Sequence, residues 1–206
     1  MRMEDLAGTA LPLLRGEHVA TLIETPRLKL RIPQEADLDE WFALLADPQS
    51  SQFIGGPMTR HQAWGTLAVF LGHWALRGFG PFSLVLRSSG LTIGWAGPWF
   101  PDGWPGREVG CVLRKEYWGQ GLATEATTAA VQWVRQVLKW HDVIHCIDPN
   151  NSSAIALASR LGSSFIRTER LRVLNQTQVR ERHIYGQKLQ STTANDNPVE
   201  HLSEGA

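Results

Sequence analysis

Apolar residues recur along the chain with two different spacings, and each spacing predicts a type of element. Leucines alternate with charged residues in Leu28-Lys29-Leu30-Arg31, which is the period of a strand with one buried face. Apolar residues three and four positions apart then predict two amphipathic helices, of which the first ends at Asp47-Pro48. The second is predicted between Thr59 and Gly78, because Thr59 and Gln62 have the spacing of a capping box and Gly78 suits a helix end.

The rest of the chain predicts further strands and helices. Strands are predicted at 82–86, 91–95, 108–113 and 143–147, helices at 122–137 and 152–161, and two weaker strands around residue 175. A loop rich in Pro and Gly is predicted from Gly97 to Arg107. This order of elements predicts an α+β fold with a mixed, mostly antiparallel central sheet and helices on both faces.

The domain organisation follows from length and composition. The 206 residues fit one domain with a substantial core. Residues 1–21 show no sustained periodicity and are expected to form a flexible N-terminal extension. The folded domain is predicted to span residues 22–189, and the polar residues 190–206 are predicted to form a disordered tail.

Charge and composition argue against several classes of function. Lys and Arg together number 20, as do Asp and Glu, so neither nucleic acid nor an anionic membrane is expected as a partner. Apolar runs are shorter than the roughly 18 residues that a membrane span needs, and no signal-peptide pattern is seen. Cys111 and Cys146 are expected to be buried free thiols, and the seven scattered His residues predict no metal site. A cytoplasmic protein is expected.

A glycine-rich loop stands between the predicted strand 108–113 and the long helix that follows it. Its residues are Trp118, Gly119, Gln120, Gly121, Leu122, Ala123 and Thr124. A helix N-terminus presents unpaired N–H groups and a partial positive charge, and glycines let an anion approach the backbone closely. The loop is therefore a candidate site for a phosphate or a pyrophosphate, although a glycine turn before a helix is also common as a purely structural feature. It fits neither the Rossmann nor the Walker pattern.

Two motifs resemble the GNAT superfamily of N-acetyltransferases, and most closely its branch of ribosomal-protein N-terminal acetyltransferases. The family's Arg/Gln-x-x-Gly-x-Gly/Ala motif corresponds to residues 118–123, where Gly121 and Ala123 match and Trp118 replaces Arg or Gln. The family's Asn-x-x-Ser block, followed by Lys/Arg-Leu-Gly, corresponds to residues 151–154 and 160–162, with Ala154 in place of Ser. The resemblance extends over roughly residues 22–189.

The resemblance implies acetyl-CoA as the cosubstrate. The glycine loop would then bind its pyrophosphate, and the strand before the loop would bind pantetheine along its edge through the backbone of Cys111, Val112 and Leu113. Asn151 would contact the pantetheine arm or a nearby water. An ordinary helix N-cap is an equally good interpretation of Asn151, and the two roles are compatible.

The predicted reaction is direct attack of a primary amine on the acetyl thioester in a ternary complex. Glu108 heads the strand where many relatives place a general base, so it is predicted to deprotonate the ammonium group, although a solvated strand-end carboxylate is the alternative. Glu125 is a weaker candidate base. Trp95, Trp99 and Trp104 are expected to wall an acceptor pocket, and the general acid stays unassigned.

The acceptor is expected to be an amine-bearing small molecule or a peptide N-terminus. Two other functions remain open at this stage: a CoA-binding sensor that has lost catalysis, and a nucleotide-binding domain that uses the same loop. The use of other acyl donors is not decided by the sequence, and a homodimer is compatible with it.

Overall fold

The computed structural model describes residues 21–172 and 179–189, and these form one mixed sheet with helices on both faces. The strands are β1 (Thr21–Glu24), β2 (Leu28–Arg31), β3 (Phe82–Leu86), β4 (Thr92–Trp99), β5 (Glu108–Leu113), β6 (Asp142–Ile147), β7 (Ser164–Arg172) and β8 (Val179–Lys188). The helices are α1 (Leu38–Ala46), α2 (Pro48–Ser51), α3 (Arg60–Arg77), α4 (Leu122–Gln136) and α5 (Ser152–Arg160), with short 3-10 turns at 35–37 and 115–117. The predicted α+β class is confirmed.

The strands lie in the order β1-β2-β3-β4-β5-β6-β8-β7. All neighbouring pairs run antiparallel except β5 and β6, which are parallel. The chain therefore crosses from β5 to β6 through α4, as a parallel connection requires. Strands β5 and β6 are thus the only parallel neighbours among the described strands.

Helix α3 has the end signals that the sequence predicts. The Thr59 side chain accepts a hydrogen bond from the Gln62 N–H, and the Gln62 side chain accepts one from the Thr59 N–H, which completes the capping box. Gly78 ends the helix in the left-handed conformation with φ of 72°.

Two core clusters pack against opposite faces of the sheet. The larger one buries one face against α4, through Leu122, Ala126 and Ala130. The other holds α1 and α3 against β4, where the ring of Trp41 lies 4.8 Å from that of Trp95 and 5.4 Å from that of Phe70. The cluster between α1, α3 and β4 is therefore built largely from aromatic rings.

A buried ion pair joins the first half of the sheet. Asp37, 2% exposed, accepts hydrogen bonds from Arg31 on β2, Ser83 on β3 and Thr92 on β4. Burial by itself would raise the pKa of Asp37, but the hydrogen bonds and charge of Arg31, helped by the Gln34 N–H and Ser83, lower it below its usual value. Asp37 therefore stays ionised and fixes these three strands together.

The structure differs from the predicted elements at β4, at β1 and at the short helix α2, which follows the predicted end of the first helix. Strand β4 continues to Trp99, beyond the predicted end at Trp95, because β5 pairs with it as far as Glu108 opposite Trp99. Strand β1 was not predicted, since its sequence Thr-Leu-Ile-Glu places two apolar residues side by side and does not alternate. It begins at Thr21, so the rest of the predicted extension 1–21 lies outside the described residues, as does the tail 190–206. Within the described ranges, no helix combines the length and the apolar character needed to cross a bilayer.

Candidate active site

Strands β5 and β6 begin side by side and then separate. Their register is a single pair, Glu108 opposite Ile144, supported by the hydrogen bond from the Ile144 N–H to the Arg107 carbonyl at 2.9 Å. Strand β5 nevertheless continues to Leu113 and pairs with β4 along all of this length. The edge of β5 that faces β6 is therefore released from the ladder after its first residue.

Two side chains occupy the place of the missing backbone pairs. The Cys146 N–H donates to Oε1 of Glu108 at 3.3 Å, and Nδ1 of His145 lies 2.6 Å from the Val109 carbonyl oxygen. A carbonyl oxygen only accepts, so Nδ1 carries the proton. Burial lowers the pKa of His145 and keeps the ring neutral, so Nε2 accepts from the Ser163 hydroxyl at 3.0 Å. The imidazole thus satisfies a carbonyl that the separation leaves without a strand partner.

A cavity of about 220 Å³ lies over this gap. The predicted wall residues Trp95, Trp99 and Trp104 all line it, and so do Glu108 and Asn151. On the side of α1 and α3 the other lining side chains are Leu45, Phe53, Ile54, Met58, Thr66 and Phe70, whereas Thr127 of α4 and Ala154, Leu157, Ala158 and Leu161 in and after α5 line the opposite side. The cavity therefore passes through the sheet plane at the separated strands.

Glu108 lies at the start of the gap with its carboxylate half-buried. Its Oε2 accepts a hydrogen bond from Nε1 of Trp104 at 2.7 Å. Burial raises the pKa of Glu108 to about 7, and the hydrogen bonds from Trp104 and Cys146 and the nearby charge of Arg182 oppose part of that rise. A carboxylate with this pKa is divided between its two forms near neutral pH, which suits a group that accepts and returns a proton.

The predicted cofactor residues fall into two groups in space. Cys111, Val112 and Asn151 line the cavity, whereas Leu113 is 5% exposed in the core. The loop 118–124 lies beyond the cavity at the start of α4, where Gly119 and Gly121 take φ of 73° and 77°. Such angles are strained for a residue with a side chain and easy for glycine.

The start of α4 has free amides and a fixed position. Gly121 is the N-cap residue and no side chain caps this end of the helix, so the N–H groups of the first turn are available to a ligand. Arg27 donates from Nη1 to the Gln120 carbonyl at 2.8 Å, and Nε1 of Trp118 donates to the Leu113 carbonyl at 2.9 Å. The Trp118 bond fixes the loop to β5, and the Arg27 bond fixes it to the β1–β2 turn. The Trp118 side chain therefore helps to position the loop.

Glu125 braces the same loop. Its carboxylate accepts from Thr25 Oγ1 at 2.6 Å, from the Arg27 N–H at 2.9 Å and from Nε of Arg27 at 2.7 Å. Burial would raise the pKa of Glu125, but the hydrogen bonds from Thr25 and Arg27 lower it overall. Glu125 does not line the cavity, so the structure gives it a bracing contact where the sequence made it a second candidate base.

Asn151 has the N-cap role predicted for it, and it also lies beside the cavity. Its Oδ1 accepts from the Ala154 N–H at 3.1 Å and from the Ser153 hydroxyl at 2.8 Å, which caps α5, and the same side chain borders the cavity. Both cysteines also line the cavity as free thiols, and they are partly buried where the sequence predicted buried thiols. Burial raises the pKa of Cys111 to about 12 and that of Cys146 higher still, so both remain thiols.

Sequence reasoning missed His145, Asp148 and Arg182, although all three line the cavity. Arg182, 3% exposed, donates to Asp148 Oδ2 at 2.7 Å and to the Phe53 carbonyl at 3.1 Å. It thereby holds the segment between α2 and α3 against the end of β6. Among the described residues, no group of three or more His, Cys, Asp or Glu side chains is arranged to hold a metal ion.

Comparison with known proteins agrees with this geometry. Residues 27–164 match the family model of the acetyltransferase (GNAT) domain. The uncharacterised N-acetyltransferase p20 of Bacillus licheniformis is 26% identical over 140 residues, which are 66% of this chain and 79% of that protein. The crystal structure of an acetyltransferase from Agrobacterium tumefaciens is 27% identical with a TM-score of 0.67, covering 80% of this chain and 92% of that one.

A second solved structure shares the fold at lower identity. The ribosomal-protein-S5-alanine acetyltransferase from Vibrio fischeri is 15% identical with a TM-score of 0.63, and the match covers 81% of this chain and 95% of that one. The family model spans well over half of the chain, and it matches the region that contains the separated strands and the glycine loop. The chain therefore belongs to the GNAT acetyltransferase family.

Proposed function

We propose that this protein transfers the acetyl group of acetyl-CoA to a primary amine, with Glu108 as the general base. The observation that carries the proposal is the position of Glu108: a carboxylate with a pKa of about 7 lies inside a cavity, at the point where β5 and β6 separate. GNAT membership supports acetyl transfer in general. The amine acceptor and the mechanism are our inference from the site.

The residues present fit acetyl-CoA. The uncapped first turn of α4, with glycine at positions 119 and 121, offers backbone N–H groups to a pyrophosphate. The released edge of β5 offers the backbone of Cys111, Val112 and Leu113 to the amide groups of pantetheine, as an added strand would use them. Asn151 borders the same passage. When bound, acetyl-CoA supplies the electrophilic acetyl thioester.

The chain's own contribution to the chemistry is to orient the amine and accept its proton. An alkyl ammonium group has a pKa of about 10 in water and must become neutral before it can attack. The ionised Glu108 carboxylate takes that proton, directly or through a water molecule, and the Trp104 N–H holds the carboxylate in place. Cys111 and Cys146 remain protonated thiols, so an acetylated cysteine is not part of the proposal.

Thermal shift assays test the cosubstrate directly. Acetyl-CoA at about 100 times its Kd adds about 2.7 kcal/mol to the free energy of unfolding, which corresponds to a Tm increase of roughly 5–10 °C for a domain of this size. We expect this stabilisation from acetyl-CoA and not from ATP or NAD. Stabilisation by ATP or NAD alone would refute the proposal in favour of a nucleotide-binding domain.

Release of CoA separates an enzyme from a sensor. We expect free thiol to accumulate when acetyl-CoA is incubated with the protein and a panel of primary amines and peptides. A small-molecule amine and a protein N-terminus both remain acceptors under this proposal, and the Vibrio fischeri neighbour is named for an alanine of a ribosomal protein. Tight binding of acetyl-CoA without any thiol release would identify the CoA-binding sensor instead.

A further inference from the structure

We infer that the natural acceptor is a primary amine attached to an aromatic or aliphatic body that carries no second charge. This inference rests on the proposed function and concerns the lobe of the cavity between Glu108 and helices α1 and α3. Two features of that lobe support the inference. Its walls are apolar, and its charged side chains other than Glu108 are already paired with each other.

The walls of the lobe are aromatic and aliphatic. Trp95 and Trp99 project from β4, Phe70 faces them from α3, and Phe53 and Met58 close the outer side. The rings support one another, because the centroid of Phe70 lies 5.8 Å from that of Trp95 and 5.2 Å from that of Trp99. An apolar substituent on the amine would gain burial here, whereas a polar one would lose its hydration without finding partners.

Charged groups in the lobe allow for one ammonium group only. Among the residues that line the cavity, the carboxylates are Glu108 and Asp148 and the one fully charged cation is Arg182. Asp148 is occupied by Arg182 at 2.7 Å, and His145 is held neutral by burial. Glu108 is therefore the carboxylate left for the acceptor. A second ammonium group, as in a polyamine, would be buried beside Arg182 without a counter-ion.

Arg182 also holds the outer wall of the lobe in place. Its guanidinium donates to the Phe53 carbonyl as well as to Asp148 and to the Glu181 carbonyl, at 3.1, 2.7 and 3.0 Å. The segment that carries Phe53 and Met58 is thus fastened to the end of β6. An acceptor carboxylate would have to displace Asp148 from Arg182 to find a cation, so amino acids are poor acceptors on the same argument.

A series of alkylamines tests the inference with the full-length protein. We expect kcat/KM, measured by CoA release at saturating acetyl-CoA, to rise by about fourfold per added methylene from ethylamine to hexylamine, since each buried methylene contributes about 0.8 kcal/mol. The aromatic 2-phenylethylamine is expected to react at least as well as butylamine. Spermidine and ethanolamine are expected to be at least tenfold poorer than hexylamine.

A charge introduced at the rim provides the matched test. Met58 is partly exposed but also packs against the core cluster around Trp41, so the Tm of Met58→Glu should be measured beside its activity. We expect kcat/KM to fall about tenfold for hexylamine and to rise about tenfold for 1,6-diaminohexane. Trp64→Glu adds the same charge on α3 outside the cavity, where the side chain is 51% exposed, and should change neither value.

The outcomes separate this inference from the proposed function. Faster reaction with spermidine or ethanolamine than with hexylamine, or no dependence on chain length, would overturn the inference and leave the acetyltransferase proposal in place. A protein that binds acetyl-CoA but releases CoA with none of the amines or peptides would overturn both.

Discussion

Replacing Trp104 with Phe removes one hydrogen-bond donor from Glu108 and keeps an aromatic ring in the wall of the cavity. The bond that is lost joins Nε1 of Trp104 to Oε2 of Glu108 at 2.7 Å, and it stabilises the ionised carboxylate. A hydrogen bond to a charged group contributes about 1.5–3 kcal/mol, and one pKa unit corresponds to about 1.4 kcal/mol. Because the carboxylate is only half-buried, we take the lower value and expect the pKa of Glu108 to rise by about one unit.

The sign of the effect on activity follows from the role of Glu108 as a base. The base acts in its ionised form, so a higher pKa moves the acidic limb of the pH profile of kcat/KM towards alkaline pH. With a pKa of about 7 in the wild-type protein, the ionised fraction at pH 7 is about one half, and a rise of one unit reduces it to about one tenth. We expect an activity loss of about fivefold at pH 7 that disappears near pH 9.

The assay is CoA release with one alkylamine across pH 5.5–9.5, with wild-type and variant proteins measured side by side. The amine ionises identically in both series. A difference between the acidic limbs of the two pH profiles therefore reflects a difference in the pKa of a group on the protein. Trp64→Phe is the matched control, because that indole is 51% exposed and lies outside the cavity. If Trp104→Phe left the acidic limb of the pH profile unchanged, or lost the same fraction of activity at every pH, ionisation of Glu108 would not be the cause of that limb.

Three further substitutions, the first with a matched control, test the framework around the site. Gly121→Ala should raise the Kd of acetyl-CoA about tenfold in titration calorimetry, whereas Gly90→Ala, at the similar φ of 74° in the β3–β4 turn, should lower the Tm without changing that Kd. His145→Leu leaves the Val109 carbonyl without its donor and should reduce the free energy of unfolding in urea by about 1–3 kcal/mol, and an undiminished value would contradict the contact. Asp37→Ala breaks a buried ion pair and should cost about 3–5 kcal/mol at pH 7. Since the pKa of Asp37 is lowered by folding, its stabilisation is present above its ordinary pKa of 3.8 and is lost on further acidification, so the difference in Tm should shrink at low pH.

Features that depend on a few consecutive residues were predicted well from the sequence. The capping box and the glycine end of α3 lie within its first and last turns, so the local sequence specifies both ends. Glu108 and the glycine loop were selected as candidates because they lie within one strand–loop–helix segment that resembles the corresponding segment of the family. The predicted wall of Trp95, Trp99 and Trp104 is also a short stretch of chain, and all three side chains line the cavity.

Features that depend on distant contacts were not predicted. His145 contacts Val109 across 36 positions in the sequence, and Arg182 contacts Asp148 across 34, so no local pattern reveals either pair. Both pairs depend on how β5, β6 and β8 lie beside one another in the sheet. The extension of β4 to Trp99 was missed for a related reason, since Gly and Pro there resemble loop residues until pairing with β5 is known.

Substitution of Glu108 by Gln is the most direct test of the proposed chemistry. The amide keeps the size of the side chain and an oxygen that accepts the Trp104 N–H, but it cannot take a proton from an ammonium group. Turnover in CoA release and the Kd of acetyl-CoA should be measured on the same preparation. We expect turnover to fall by roughly 10²- to 10⁴-fold while the Kd stays unchanged. Turnover equal to that of the wild-type protein would show that Glu108 is not the base.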